Sequence, residues 1–187
     1  MKKDAGDVSR RALIQSAAFV PLAALTLSAQ QPSALTPAQM KTLEAFIDRL
    51  IPRDDLGPGA VDAGAHFYID RVLAGPNASE KATFIQGLEA ADTYAEKAHG
   101  APLAELSAEK RDQVLAEMVN DPFFSRARRL TLEGMFSDPY YGGNRNFAGW
   151  DLIRYPGPRP AVAAEDQKLN VDVKPYRVSA YGTKYGH

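Results

Sequence analysis

Residues 36–52 read TPAQMKTLEAFIDRLIP, and their pattern decides the fold class. Thr36 is placed as a helix N-cap, Pro37 occupies the first helical position, and Gln39 three residues on completes a capping box. Met40, Leu43, Phe46, Ile47, Leu50 and Ile51 then recur at helical spacing and form one apolar stripe. Pro52 ends the segment.

The same signals recur downstream. IPRDDLGPGA at 51–60 is a turn-rich joint, because Gly57-Pro58-Gly59 admits no regular structure. A second helix is predicted from about Val61, with Val61, Ala65, Tyr68, Ile69, Val72 and Leu73 on one face, closed by Gly75-Pro76. A third begins near Asn77 or Ser79, turns Phe84, Ile85, Leu88, Ala91 and Ala95 inward, and stops at Gly100. A fourth starts at Ser107–Glu109, with Val114, Leu115, Met118 and Val119 as its stripe. Asp121-Pro122 repeats the cap-then-proline signal and opens a fifth helix to Met135, which carries Arg126, Arg128 and Arg129 on its surface. No segment before residue 140 alternates with period two, and no repeat is present. The expectation is an all-α fold: one small domain of about five helices spanning 36–160, with an irregular Gly/Pro/aromatic-rich C-terminal arm. Residues 30–35 form a lead-in and 161–187 an extended tail.

Composition narrows the function. With 187 residues, 45% of them hydrophobic and 24% charged, the chain suits one globular domain. A net charge of −1 argues against a nucleic-acid binder or a polybasic membrane-surface protein. The absence of Cys removes disulfides, Cys-ligated zinc, iron–sulfur clusters and covalent c-type haem. His66, His99 and His187 stand far apart, so a His-rich metal site is not expected.

The N-terminus, MKKDAGDVSRRALIQSAAFVPLAALTLSAQQ, has a basic start, the pair Arg10-Arg11 after Ser9, and then an Ala/Leu-rich run. Residues 1–29 resemble a twin-arginine export signal with a cleavage point after Ala29. A membrane anchor is disfavoured: Gln15, Ser16 and Pro21 interrupt a run shorter than the roughly 20 residues a span needs. The expected destination is the periplasm, by a route that carries proteins already folded.

The groups able to carry chemistry are few, and none forms a recognisable catalytic set. Asp54-Asp55 could bind a cation, yet beside Gly-Pro-Gly an Asp more often caps a turn. His66 could pair with Asp70 at i+4, but no third ligand lies nearby. His99 suits the negative end of a helix dipole. Glu133 and Asp138 could form an acid pair of the kind used on glycosides, although spacing alone does not establish it. Gly142-Gly143-Asn144 follows a helix and not a strand, so it does not read as a phosphate loop.

FSDPYYGGNRNFAGWDLIRYPGP at 136–158 gathers two Tyr, the single Trp and a set of turn-formers. The tail beyond holds one alternating piece (Leu169, Val171, Val173), then Tyr176, Tyr181 and Tyr185. Two readings of it stay open: a loose terminus, or an arm that orders against a partner.

The twin-arginine leader, IPRDDLGPGAVDAGAHFYIDRVL at 51–73 and TLEGMFSDPYYGGNRNFAGWDLIRYPGP at 131–158 together resemble gluconate 2-dehydrogenase subunit 3. The most characteristic residues are Glu133-Gly134, Ser137-Asp138-Pro139, Tyr141-Gly142-Gly143-Asn144 and Gly149-Trp150. The resemblance implies a non-catalytic γ-type subunit with no catalytic, cofactor-binding or metal residues of its own. It implies a glucose–methanol–choline-type large subunit holding FAD, and haem c in a cytochrome subunit or carrier. It also implies that Arg10 and Arg11 address the pair to the Tat translocase. Within that family reading, Phe136, Asp138, Tyr140, Tyr141, Gly142, Gly143, Asn144, Trp150 and Tyr155 are the expected partner interface. The alternative is a stand-alone periplasmic carbohydrate-binding module stacking sugars on Tyr140, Tyr141 and Trp150.

Overall fold

The first helix, α1 (Pro37–Leu50), begins as its sequence specifies. Thr36 Oγ1 accepts from Gln39 N at 3.3 Å, and Gln39 Oε1 accepts from Thr36 N at 3.0 Å. In this computed structural model the described residues are 33–159, 161–162, 164–169 and 173–182. Arg10, Arg11 and the cleavage point after Ala29 lie outside them, as do Val171, Tyr185 and His187. Among the described residues there is no β-strand, only an isolated bridge between Asp54 and Gly57.

The other helices are α2 (Ala65–Ala74), α3 (Lys81–His99), α4 (Ala108–Glu117), α5 (Pro122–Phe136) and α6 (Ala148–Leu152). The stripe of α1 (Leu43, Phe46, Ile47) is fully buried and touches α3, α4 and α5. At its centre Phe46 and Phe84 each meet Phe123 edge-on, with ring centroids 5.2 and 5.1 Å apart. Asp92 ties the layers polar-to-polar: its carboxylate accepts from Thr42 Oγ1 of α1 at 2.8 Å and from Leu103 N at 3.0 Å.

Four sequence expectations need correction. The second helix starts at Ala65, not Val61, because residues 60–64 form successive turns. Asp62 accepts from Gly59 N and pairs with Arg53, and Gly64 sits at φ 71°, where a helix cannot run. The fourth helix ends at Glu117, which leaves Val119 exposed and outside the stripe. Arg126 is largely buried against Glu80 and is not a surface arginine. A sixth helix, α6, follows the aromatic stretch; at five residues it is too short to show a period.

Residues 173–182 of the tail are bonded to the body of the domain. Tyr176 N donates to Pro156 O at 2.7 Å, Ala180 N donates to Asp138 Oδ2 at 2.7 Å, and Arg177 pairs with Asp151 at 2.7 Å. Residues 173–182 therefore lie along the 138–157 loop.

Candidate partner-binding surface

A helix leaves its last four carbonyls without internal donors. At the end of α5, the residues that follow supply donors to three of them. Ser137 N donates to Glu133 O at 2.9 Å, Asn144 N to Gly134 O at 2.8 Å and Trp150 Nε1 to Phe136 O at 2.9 Å. Asn144 Nδ2 donates to Ser137 O at 2.9 Å, while its Oδ1 accepts from Gly149 N at 2.9 Å and Trp150 N at 3.4 Å. This one amide links the helix end to α6. It is 0% exposed, and its backbone is left-handed at φ 46°.

The glycines make the wrap possible. A Cβ at Gly143 would lie 2.0 Å from Gly134 O, and one at Gly149 would lie 1.9 Å from Met135 O. Neither position has room for a side chain. Asn146 (φ 55°) and Phe147 (φ 61°) are also left-handed, a conformation costing roughly 1–2 kcal/mol for such residues. The many contacts of the cap hold them there.

The cap sorts the expected interface residues into two sets. Gly143, Asn144 and Trp150 (6% exposed) are used up inside the chain, with Phe136 half-buried behind them. They build the platform and expose almost no area of their own. Tyr140 (38% exposed), Tyr141 (42%) and Tyr155 do face outward. Asp138 caps the 3₁₀ turn Pro139–Tyr141 by accepting from Tyr140 N at 2.9 Å, and Gly142 ends that turn at φ 100°. Tyr181 of the tail completes the patch: its ring lies 4.3 Å from that of Tyr140, and its hydroxyl is 2.6 Å from that of Tyr141.

Elsewhere, Asp54, Asp70, Tyr68 and Glu133 are engaged in structure. Asp54 Oδ1 accepts from Leu56 N at 2.9 Å and Gly57 N at 3.2 Å, a turn cap. His66 and Asp70 do not pair. Asp70 Oδ1 instead accepts from Ser33 Oγ, Ala34 N and Leu35 N at 3.0, 2.9 and 2.9 Å, fastening the lead-in to α2. His66 is buried, and desolvation, with a smaller contribution from the nearby Arg145 cation, lowers its pKa to about 4. Glu44 Oε1 stands 3.5 Å from its Nε2, but that carboxylate is 39% exposed and screened by water. Tyr68 donates to Glu133 Oε2 at 3.0 Å; burial, then that hydrogen bond, raises the phenol to about 12, so it stays protonated. Glu133 also pairs with Arg129, so it is held in a side-chain network. Among the described residues no three His, Asp or Glu side chains converge as a metal site.

Sequence reading missed Phe67, Arg71 and Arg145, which line a cleft of about 490 Å³ beside the tyrosine patch. Two arginines 74 positions apart, on a helix and a loop, carry no spacing signal that could have joined them.

The fold and this surface define a small all-helical protein whose aromatic loop caps its last long helix and presents tyrosines on that rigid base. Residues 37–157 match the family described as gluconate 2-dehydrogenase subunit 3, and the chain belongs to that family. It is thus a member of a family of accessory subunits of a dehydrogenase complex. No curated protein and no solved structure matches the chain.

Proposed function

We propose that this chain is the non-catalytic small subunit of a periplasmic, FAD-dependent sugar or sugar-acid dehydrogenase complex acting on CH–OH donors. Its twin-arginine leader takes the complex to the Tat translocase, and its folded body assists maturation and stability of the large subunit. FAD resides in a glucose–methanol–choline-type large subunit, and haem c in a cytochrome subunit or carrier. The observation that carries this reading is the family match over residues 37–157. The exposed Tyr140, Tyr141 and Tyr155 support it, since aromatic side chains on a rigid base favour protein docking. A sugar-binding module has less behind it: Trp150 is buried, and one face of the Tyr140 ring is taken by Tyr181.

The test is export. Replacing both Arg10 and Arg11 by Lys is expected to leave dye-linked dehydrogenase activity in the cytoplasm. Full periplasmic activity in that double variant would overturn the export role. The purified chain alone is expected to turn over no sugar with a dye acceptor; turnover would overturn the accessory role.

A further inference from the structure

We propose that the cleft between Phe67, Arg71 and Arg145 receives an acidic side chain of the partner protein, and that the tyrosine patch and this cleft form one docking surface. The proposal rests on the subunit reading above. Both arginines lack an anionic partner: the ion pairs of the described residues include neither of them. Arg71 uses a single donor, Nη1, on Tyr140 O at 3.2 Å. Arg145 lays its guanidinium over the Phe67 ring, 3.6 Å from the centroid. Stacking uses the face of the guanidinium and leaves the N–H groups on its edge free for a carboxylate.

The backbone holds Arg145 in that pose. Its N–H donates to Ala63 O at 2.9 Å, and its neighbours Asn144 and Asn146 are both left-handed. Its aliphatic stem lies over Gly64. Partial burial lowers its pKa, the mark of a cation whose desolvation no nearby anion repays. One acid, Asp70, also lines the cleft, and its Oδ1 is turned to three hydrogen bonds from residues 33–35, so two arginines there face a single carboxylate. His66, which adjoins Arg145, is neutral at pH 7. The cleft therefore keeps a net positive charge, two guanidiniums against one carboxylate, to offer an incoming anion.

A protein carboxylate fits better than a free small anion for one reason. Through the Tyr140 carbonyl, Arg71 is bonded directly to the exposed tyrosine turn, so anything bound on Tyr140 and Tyr141 passes the mouth of the cleft.

The test uses the full chain and the flavoprotein that co-purifies with it. Arg71→Gln and Arg145→Gln are each expected to weaken that complex about tenfold and to flatten its salt dependence. Arg128→Gln on the exposed side of α5 is expected to change neither. In an Arg145→Lys complex, a carbodiimide is expected to join the new amine to a partner Asp or Glu. The amide bond forms as the carbodiimide takes up the departing oxygen and becomes a urea. A mapped crosslink at position 145 supports the proposal even if Arg145→Gln disturbs the loop. A wild-type complex with unchanged affinity in both Gln variants and no crosslink at position 145 overturns the proposal alone. The same pattern with inorganic phosphate competing for the arginines would make the cleft an ion site and equally overturn it. If the wild-type chain forms no complex with a flavoprotein, the subunit reading itself falls.

Discussion

His66 shows how little a residue type reveals without its surroundings. In sequence it is a possible ligand; in the fold it is a buried, neutral imidazole with an unpartnered Nδ1. Because its pKa falls from 6.5 to about 4 on folding, the unfolded chain binds the extra proton between those values. Stability is therefore full above about pH 6.5 and declines as pH falls toward 4. The slope is at most about 1.4 kcal/mol per pH unit, and less where water screens the ring. Denaturation of wild type and His66→Leu across pH 4–7.5 checks this, since the difference between the two curves should carry that slope and flatten below about pH 4. Asn144 is the opposite case, a polar residue whose burial is fully answered. Asn144→Ala removes the donor to Ser137 O and the acceptor for two N–H groups. It is expected to cost about 2–4 kcal/mol, read as a lower urea midpoint with an unchanged slope. A loss under 0.5 kcal/mol would mean that water replaces the amide.

At the scale of elements, helices with chemical start signals were legible and those set by tertiary contact were not. The capping box of α1 and the Asp121-Pro122 start of α5 are local events, written in adjacent residues. The delayed start of α2 depends on Asp62 reaching back to Gly59, which periodicity does not register. For the aromatic loop, sequence located the stretch but not its inside and outside. A loop has no period to separate faces, so Trp150 and Tyr140 look alike until the carbonyls of α5 select which one points inward. Gly149→Ala tests that selection. Its methyl would meet Met135 O at 1.9 Å, so the loop must lift, at an expected cost of about 3 kcal/mol. Far-UV circular dichroism should stay close to wild type while the near-UV signal of Trp150 changes. An unaltered near-UV spectrum would show that the cap tolerates the methyl.

At the scale of the whole molecule, the helical bundle and the proposed docking surface are held by different sets of contacts. The hydrogen bonds and ion pairs of residues 173–182 reach the 138–159 region, and none reaches α1 to α5. The tail adds exposed Tyr181 to the patch formed by Tyr140 and Tyr141, and presents a second exposed ring, Tyr176, beside Pro156. If those tyrosines dock the large subunit, removing residues 173–187 should act on binding far more than on folding. The truncated chain is expected to keep its helical spectrum and to lose about 1–2 kcal/mol of stability from the severed surface contacts. Its affinity for the flavoprotein should fall at least about tenfold, near 1.4 kcal/mol, because two aromatic contacts and the ordering of Tyr140 go together. Calorimetry of the two chains against the same flavoprotein separates these effects. An unchanged affinity would assign the arm to its own chain alone, and collapse of the helical spectrum would place it in the folding core. The expected split, a stable bundle with weakened docking, follows from where the arm makes its bonds.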